Sequence, residues 1–145
     1  MTSPFVAGQK IHASDLNIFI AGAASSGDVT CTTTTLTDLT GATVTFSTTH
    51  ANVICTVTGI FDVSLNTAAA AATGHLSVDG SDQTTQAILT MTTATQRATI
   101  AQCWTIALAA AGSHTLKLRG ALSASAGSYT FFHPHTTINA LVCDL

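Results

Sequence analysis

Residues 53–65 alternate with a period of two. Val53, Cys55, Val57, Gly59, Phe61, Val63 and Leu65 share one face; Ile54, Thr56, Thr58, Ile60, Asp62 and Ser64 share the other. Successive side chains of a strand point to opposite sides, so this pattern predicts a β-strand with one buried face. Residues 99–108 place Ile100, Trp104, Ile106 and Leu108 on one side, and residues 114–119 set Leu116 and Leu118 against Lys117 and Arg119. Shorter stretches predict strands at 28–37, 42–46, 74–78, 87–91, 129–132 and 136–145. Asp79-Gly80-Ser81-Asp82 and Gly112 supply turn signals between them. The alanine run at 68–72 is too short for an isolated helix and reads as a loop. Many short strands punctuated by turns predict an all-β chain, a jelly-roll β-sandwich.

Two segments depart from simple alternation. In the last strand, Ile138, Ala140 and Val142 lie on one side, and Leu141, Cys143 and Leu145 on the other. Both faces are apolar, so both are expected to be buried. A two-layer sandwich covers only one face of each sheet, and a partner subunit is the simplest cover for the other. Ile54 and Ile60, which break the polar face of their strand, would join it. The expected interface residues are therefore Ile54, Ile60, Ile138, Leu141 and Val142. The second departure is the N-terminal stretch, where Phe5, Val6, Ile11, Leu16, Ile18, Phe19 and Ile20 follow no regular period. A free tail of this kind would expose large apolar groups, which soluble proteins avoid. Residues 1–27 are thus expected to form an extended N-terminal arm, with Phe5, Val6, Ile11, Leu16, Ile18 and Phe19 anchoring it to a neighbouring subunit or to a larger particle; the alternative is an arm folded back on its own jelly roll. Residues 28–145 are expected to form the jelly-roll domain.

Composition narrows the function. Of 145 residues only 8% are charged, against about 25% in an ordinary soluble domain. There is no Glu, and Thr makes up about a fifth of the chain. Thr favours strands over helices. The net charge is −3, and the basic residues are Lys10, Arg97, Lys117 and Arg119. So few cations cannot neutralise a row of phosphates, so no nucleic-acid partner is expected. No basic cluster addresses an anionic membrane, and no apolar run approaches the ~20 residues of a membrane-spanning helix. A surface of Thr, Ser and Ala is poorly protected against association, and low charge limits repulsion between packed copies. No basic segment followed by an apolar core marks a signal peptide, so the chain is expected to be made in a reducing cytoplasm. Cys31, Cys55, Cys103 and Cys143 form no C-x-x-C pair and read as buried, unpaired thiols.

Two stretches resemble known families. Phe5-Val6-Ala7-Gly8-Gln9-Lys10-Ile11-His12-Ala13-Ser14-Asp15-Leu16-Asn17 is similar to the opening of many small bacteriophage minor structural proteins. Gly59-Ile60-Phe61-Asp62-Val63-Ser64, Leu76-Ser77-Val78-Asp79-Gly80, Trp104-Thr105-Ile106-Ala107-Leu108 and Gly112-Ser113-His114-Thr115-Leu116-Lys117-Leu118 resemble the trimeric jelly roll of the tumour-necrosis-factor and complement globular-head type. Ala140-Leu141-Val142 stands where those families often carry Phe or Gly. Together the resemblances imply a homotrimer in a tailed-phage virion, made in the bacterial host cytoplasm and partnered by capsid or tail proteins. A capsid decoration or cement role is favoured over a minor tail or tail-tip protein. The alternative is a trimeric module binding a glycan or receptor on the host surface, with Tyr129 or Phe132 at a loop tip.

Catalytic signatures are thin. Gly112-Ser113-His114 is not a G-x-S-x-G nucleophile elbow, and without Glu no paired-carboxylate site emerges. No enzymatic activity and no cofactor are expected. His133-Pro134-His135 is a weak metal candidate: i and i+2 share a strand face, but Pro134 suggests a loop. Asp79-Gly80-Ser81-Asp82 lacks the alternating acids of a calcium loop and reads as a β-turn. Trp104, in an apolar strand, reads as core.

Overall fold

The computed structural model describes residues 17–67 and 70–144. Its strands are β1 (Asn17–Ala24), β2 (Val29–Cys31), β3 (Thr37–Thr48), β4 (Val53–Thr67), β5 (Ala72–Val78), β6 (Ser81–Asp82), β7 (Ala87–Leu89), β8 (Arg97–Leu108), β9 (Gly112–Leu122), β10 (Ser128–Phe131) and β11 (Thr137–Asp144). They form two antiparallel sheets. In the first, β4 pairs with β8 along one edge and with β11 and β10 end to end along the other; β1 flanks β11, and β2 flanks β10. The second runs β3-β9-β5, with β6 and β7 both on β5. The chain is a jelly-roll β-sandwich, as its alternation predicts.

The sheets meet over one core. Phe61, Val63 and Leu65 from β4 face Leu76 of β5 and Leu116 and Leu118 of β9, all without appreciable accessible surface. Two glycines shape this contact. Gly74 and Gly120 are cross-strand partners in the second sheet. A Cβ on Gly74 would sit 2.6 Å from the Phe61 ring, and one on Gly120 2.6 Å from the Phe131 ring. The two rings pack edge to face with centroids 6.2 Å apart. The glycines thus form a dent that receives both phenylalanines. Trp104 is buried and donates its indole N–H to the Thr85 carbonyl at 2.8 Å, as a core residue.

Several expectations are corrected here. Residues 1–27 do not all stand apart as an arm: β1 pairs with β11 from Asn17↔Asp144 to Ala24↔Thr137. Its inward residues Phe19, Ala21 and Ala23 pack on the core, and Phe19 meets Phe46 edge to face at 5.6 Å. The Phe19 ring therefore serves the sandwich rather than an external anchor. Phe5, Val6, Ile11 and Leu16 lie outside the described residues, as do Ala68, Ala69 and Leu145. Ile138 and Val142, expected at a subunit interface, are fully buried in the chain's own core. The parity of β11 turns them inward, between the Ala23 and Phe19 positions of β1 and the Gly59 and Cys55 positions of β4. Cys103, expected to be buried, is exposed, because odd-numbered residues of β8 face outward.

The end of β11 is held by a buried carboxylate. Asp144 has no accessible surface. It accepts hydrogen bonds from the Thr49 amide (2.7 Å) and hydroxyl (2.9 Å), the His50 amide (3.0 Å) and Nδ1 (2.9 Å), and Asn17 Nδ2 (3.2 Å). Burial alone would raise its pKa. The hydrogen bonds from Thr49 and His50 outweigh that and hold the carboxyl well below the usual range. A pKa depressed on folding adds stability above the unfolded value, near 4, and that stability is lost as pH falls below it. Wild-type melting temperature should thus fall progressively as pH drops below about 4 in thermal scans. Asp144→Asn should be less stable at pH 7, by roughly 2 kcal/mol or more, and show a flatter acid limb.

Candidate functional site

The outer faces of the two sheets differ in kind. On the second sheet, Lys117 pairs with Asp38 at 3.0 Å, and Arg119 pairs with Asp38 at 2.9 Å and Asp82 at 2.7 Å. These ion pairs depress the Asp38 pKa, chiefly through the Lys117 hydrogen bond. Asp38, Ser77, Asp79, Thr115, Lys117 and Arg119 line a shallow groove there of about 430 Å³. Its charges are satisfied within the chain. Asp79 accepts from the Thr115 amide and from His114, and Asp82 holds Arg119. Asp79 and Gly80 both have positive φ and form a two-residue turn between the paired residues Val78 and Ser81, so the turn expected over Asp79-Gly80-Ser81-Asp82 is confined to its first two residues and Ser81-Asp82 form β6.

The first sheet presents four cross-strand rows, reading β1, β11, β4 and β8 in order. They are Ile18-Cys143-Ile54-Ala107, Ile20-Leu141-Thr56-Thr105, Gly22-Asn139-Thr58-Cys103 and Ala24-Thr137-Ile60-Ala101. None of these residues is charged. Ile20 is 75% exposed, Ile18 53%, Ile54 48% and Leu141 42%; Ile60 is half-buried. Four of the five large apolar side chains most exposed among the described residues thus share one face; Ile88 is the fifth. Beyond the last row the face ends at a polar boundary, where Arg97 pairs with Asp62 at 2.6 Å and lies 4.1 Å over the Phe132 ring. An uncharged surface that carries exposed large apolar side chains and gives way to charge at one end has the depletion of charge found in the core of protein interfaces.

Sequence reasoning located this face through Ile54, Ile60 and Leu141. It missed Ile18 and Ile20 as part of it, because it read them as belonging to a detached arm. The structure does not gather the remaining candidates into a site. Residues 133–135 form a turn rather than a strand, so His133 and His135 do not share a strand face. The His133 ring bonds Asp28. Among the described residues, no three His, Cys, Asp or Glu side chains converge as metal ligands. Tyr129, one of the two aromatics proposed for glycan contact, is fully buried, and its hydroxyl accepts from the Met91 amide at 3.3 Å. Phe132 lies half-buried beneath Arg97.

The cysteines report on the face. All four are free. Burial pushes the thiols of Cys31 and Cys55 up to about 11, which suppresses the reactive thiolate. Cys103 stands in the third row of the outer face. In intact-mass analysis, iodoacetamide should label Cys103 readily in dissociated protein and leave Cys31 and Cys55 unmodified until unfolding. Full denaturation should then yield four labelled thiols per chain.

No protein-family profile matches the chain, and no curated protein matches it by sequence. Solved structures do match in shape. The Eiger TNF of S. frugiperda superposes with a TM-score of 0.51 at 14% identity, over 87% of this chain and 92% of that one. A chain of the infectious bursal disease virus Gx strain gives a TM-score of 0.51 at 12% identity, over 99% of this chain and 36% of its own length. At these identities the likeness is one of fold: the chain shares the jelly-roll sandwich with a tumour-necrosis-factor-type protein and with part of a viral protein.

Proposed function

We propose that this chain is a structural subunit that assembles with copies of itself, as a homotrimer on the exterior of a tailed-phage virion, and has no catalytic role. The observation that carries the reading is the uncharged four-row face of the first sheet, set against the ion-paired face of the second. Burying the exposed halves of Ile18, Ile20, Ile54 and Leu141 would contribute roughly 3–6 kcal/mol per subunit, before the entropy cost of association. The ion-paired sheet is suited to face water. The threefold arrangement is supported by the strand motifs that resemble trimeric jelly rolls, and the virion setting by the opening at residues 5–17 that resembles phage minor structural proteins. A capsid decoration or cement role is the finer reading, with a minor tail or tail-tip position as its alternative.

Quantitative mass spectrometry of purified particles tests this reading. The expected result is the chain in multiples of three copies, in fixed ratio to the major capsid protein. Particles that lack the chain would overturn it.

A further inference from the structure

The association face is uneven. Ile18, Ile20, Ile54 and Leu141 all fall in its first two rows, on β1, β11 and β4. The other two rows hold Thr, Ala, Asn, Gly and Cys beside the single Ile60. The apolar corner also lies at the first described residues of the chain, Ile18 being the second residue of β1. The sixteen residues before it carry Phe5, Val6, Ile11 and Leu16, with one cation, Lys10, and one anion, Asp15. Their apolar content and near neutrality match the corner. In an assembly built on this face, the corner of each copy lies against its neighbour, so the segment attached to one copy's β1 starts within reach of the neighbour's corner. Crossing from β1 to β4 takes two interstrand spacings, about 10 Å. An extended segment of a dozen residues spans about 40 Å, so reach is not limiting.

We propose that residues 5–16 of one copy seat on the Ile18-Ile20-Leu141-Ile54 corner of its neighbour, so that each subunit clasps the next. The proposal rests on self-assembly through this face and adds the element that covers its most apolar part. Each copy then contributes both a corner and the segment that fills the corner beside it. This ties assembly to the N-terminal residues rather than to the sandwich alone.

Photo-cross-linking of the full-length chain tests it, with Phe5 or Ile11 replaced by p-benzoylphenylalanine and the mass of the unirradiated protein measured alongside. The expected product runs as a covalent dimer on a denaturing gel, and fragmentation of its tryptic peptides places the cross-link at or beside Ile18, Ile20 or Ile54 in peptide 11–97, or Leu141 in peptide 120–145. Deleting residues 2–16 should raise the dissociation constant of assembly at least ~10-fold. Cross-links confined to one chain, or reaching only strands of the second sheet, would overturn the clasp while leaving self-assembly standing. A protein that is monomeric before irradiation would overturn both.

Discussion

Leu141→Asp should yield a folded monomer, whereas Val142→Asp should not fold. The two residues are adjacent on β11 and similar in chemistry, yet they point to opposite sides. Leu141 stands beside Ile20 and Thr56 on the uncharged face and is 42% exposed. A carboxylate there stays hydrated in the monomer and is desolvated without a partner only in the assembly, at a cost of several kcal/mol. Val142 lies between Phe19 and Cys55 with no accessible surface. A carboxylate there would be buried in every folded state. Circular dichroism should show native sheet content for Leu141→Asp, with a single-chain mass by light scattering, and no cooperative melt for Val142→Asp. Ile54→Asp should behave as Leu141→Asp does. A Leu141→Asp protein of wild-type mass would remove this face from the assembly.

The second large effect belongs to the glycine dent. Gly120→Val should destabilise the chain by at least ~3 kcal/mol, a large part of the 5–15 kcal/mol typical of a domain. Even a single Cβ would come 2.6 Å from Phe131, and that ring is locked against Phe61, whose own ring occupies the hollow over Gly74. Neither ring can retreat without pushing the other. Gly120→Ala should cost less, and Phe131→Leu should partly restore it, since a smaller side chain frees the space the methyl needs. Chemical denaturation of the two single variants and the double variant measures that coupling. Additive costs would mean that the ring and the glycine do not share the hollow.

Legibility followed the range of the determining contacts. Alternation within β4, β8, β9 and β11 was readable because one face of each strand meets the core and the other mostly does not. β1 was not readable as a strand: Ile18 and Ile20 face outward yet are as apolar as the inward Phe19, so no period of two survives. The same feature that hid the strand marks it as part of an association face. β3 was shortened because Gly41, at a φ of 85°, interrupts it where its pairing with β9 shifts register between Asp38 and Thr43. The parity of β11 was legible, but which parity faces the chain's own core was not, since the sheet it packs against is built from distant segments. Asp144 gave no signal either: Asn17, Thr49 and His50 lie 127, 95 and 94 residues away. The roles of Gly74 and Gly120 depend on rings contributed by the opposite sheet.

Sedimentation equilibrium of the purified full-length chain across micromolar concentrations tests the account most directly. The account predicts a single species of about 44 kDa, three times the 14.7 kDa chain, with Cys103 protected from alkylation until the assembly is dissociated. A stable 14.7 kDa species with freely reactive Cys103 throughout that range would contradict it.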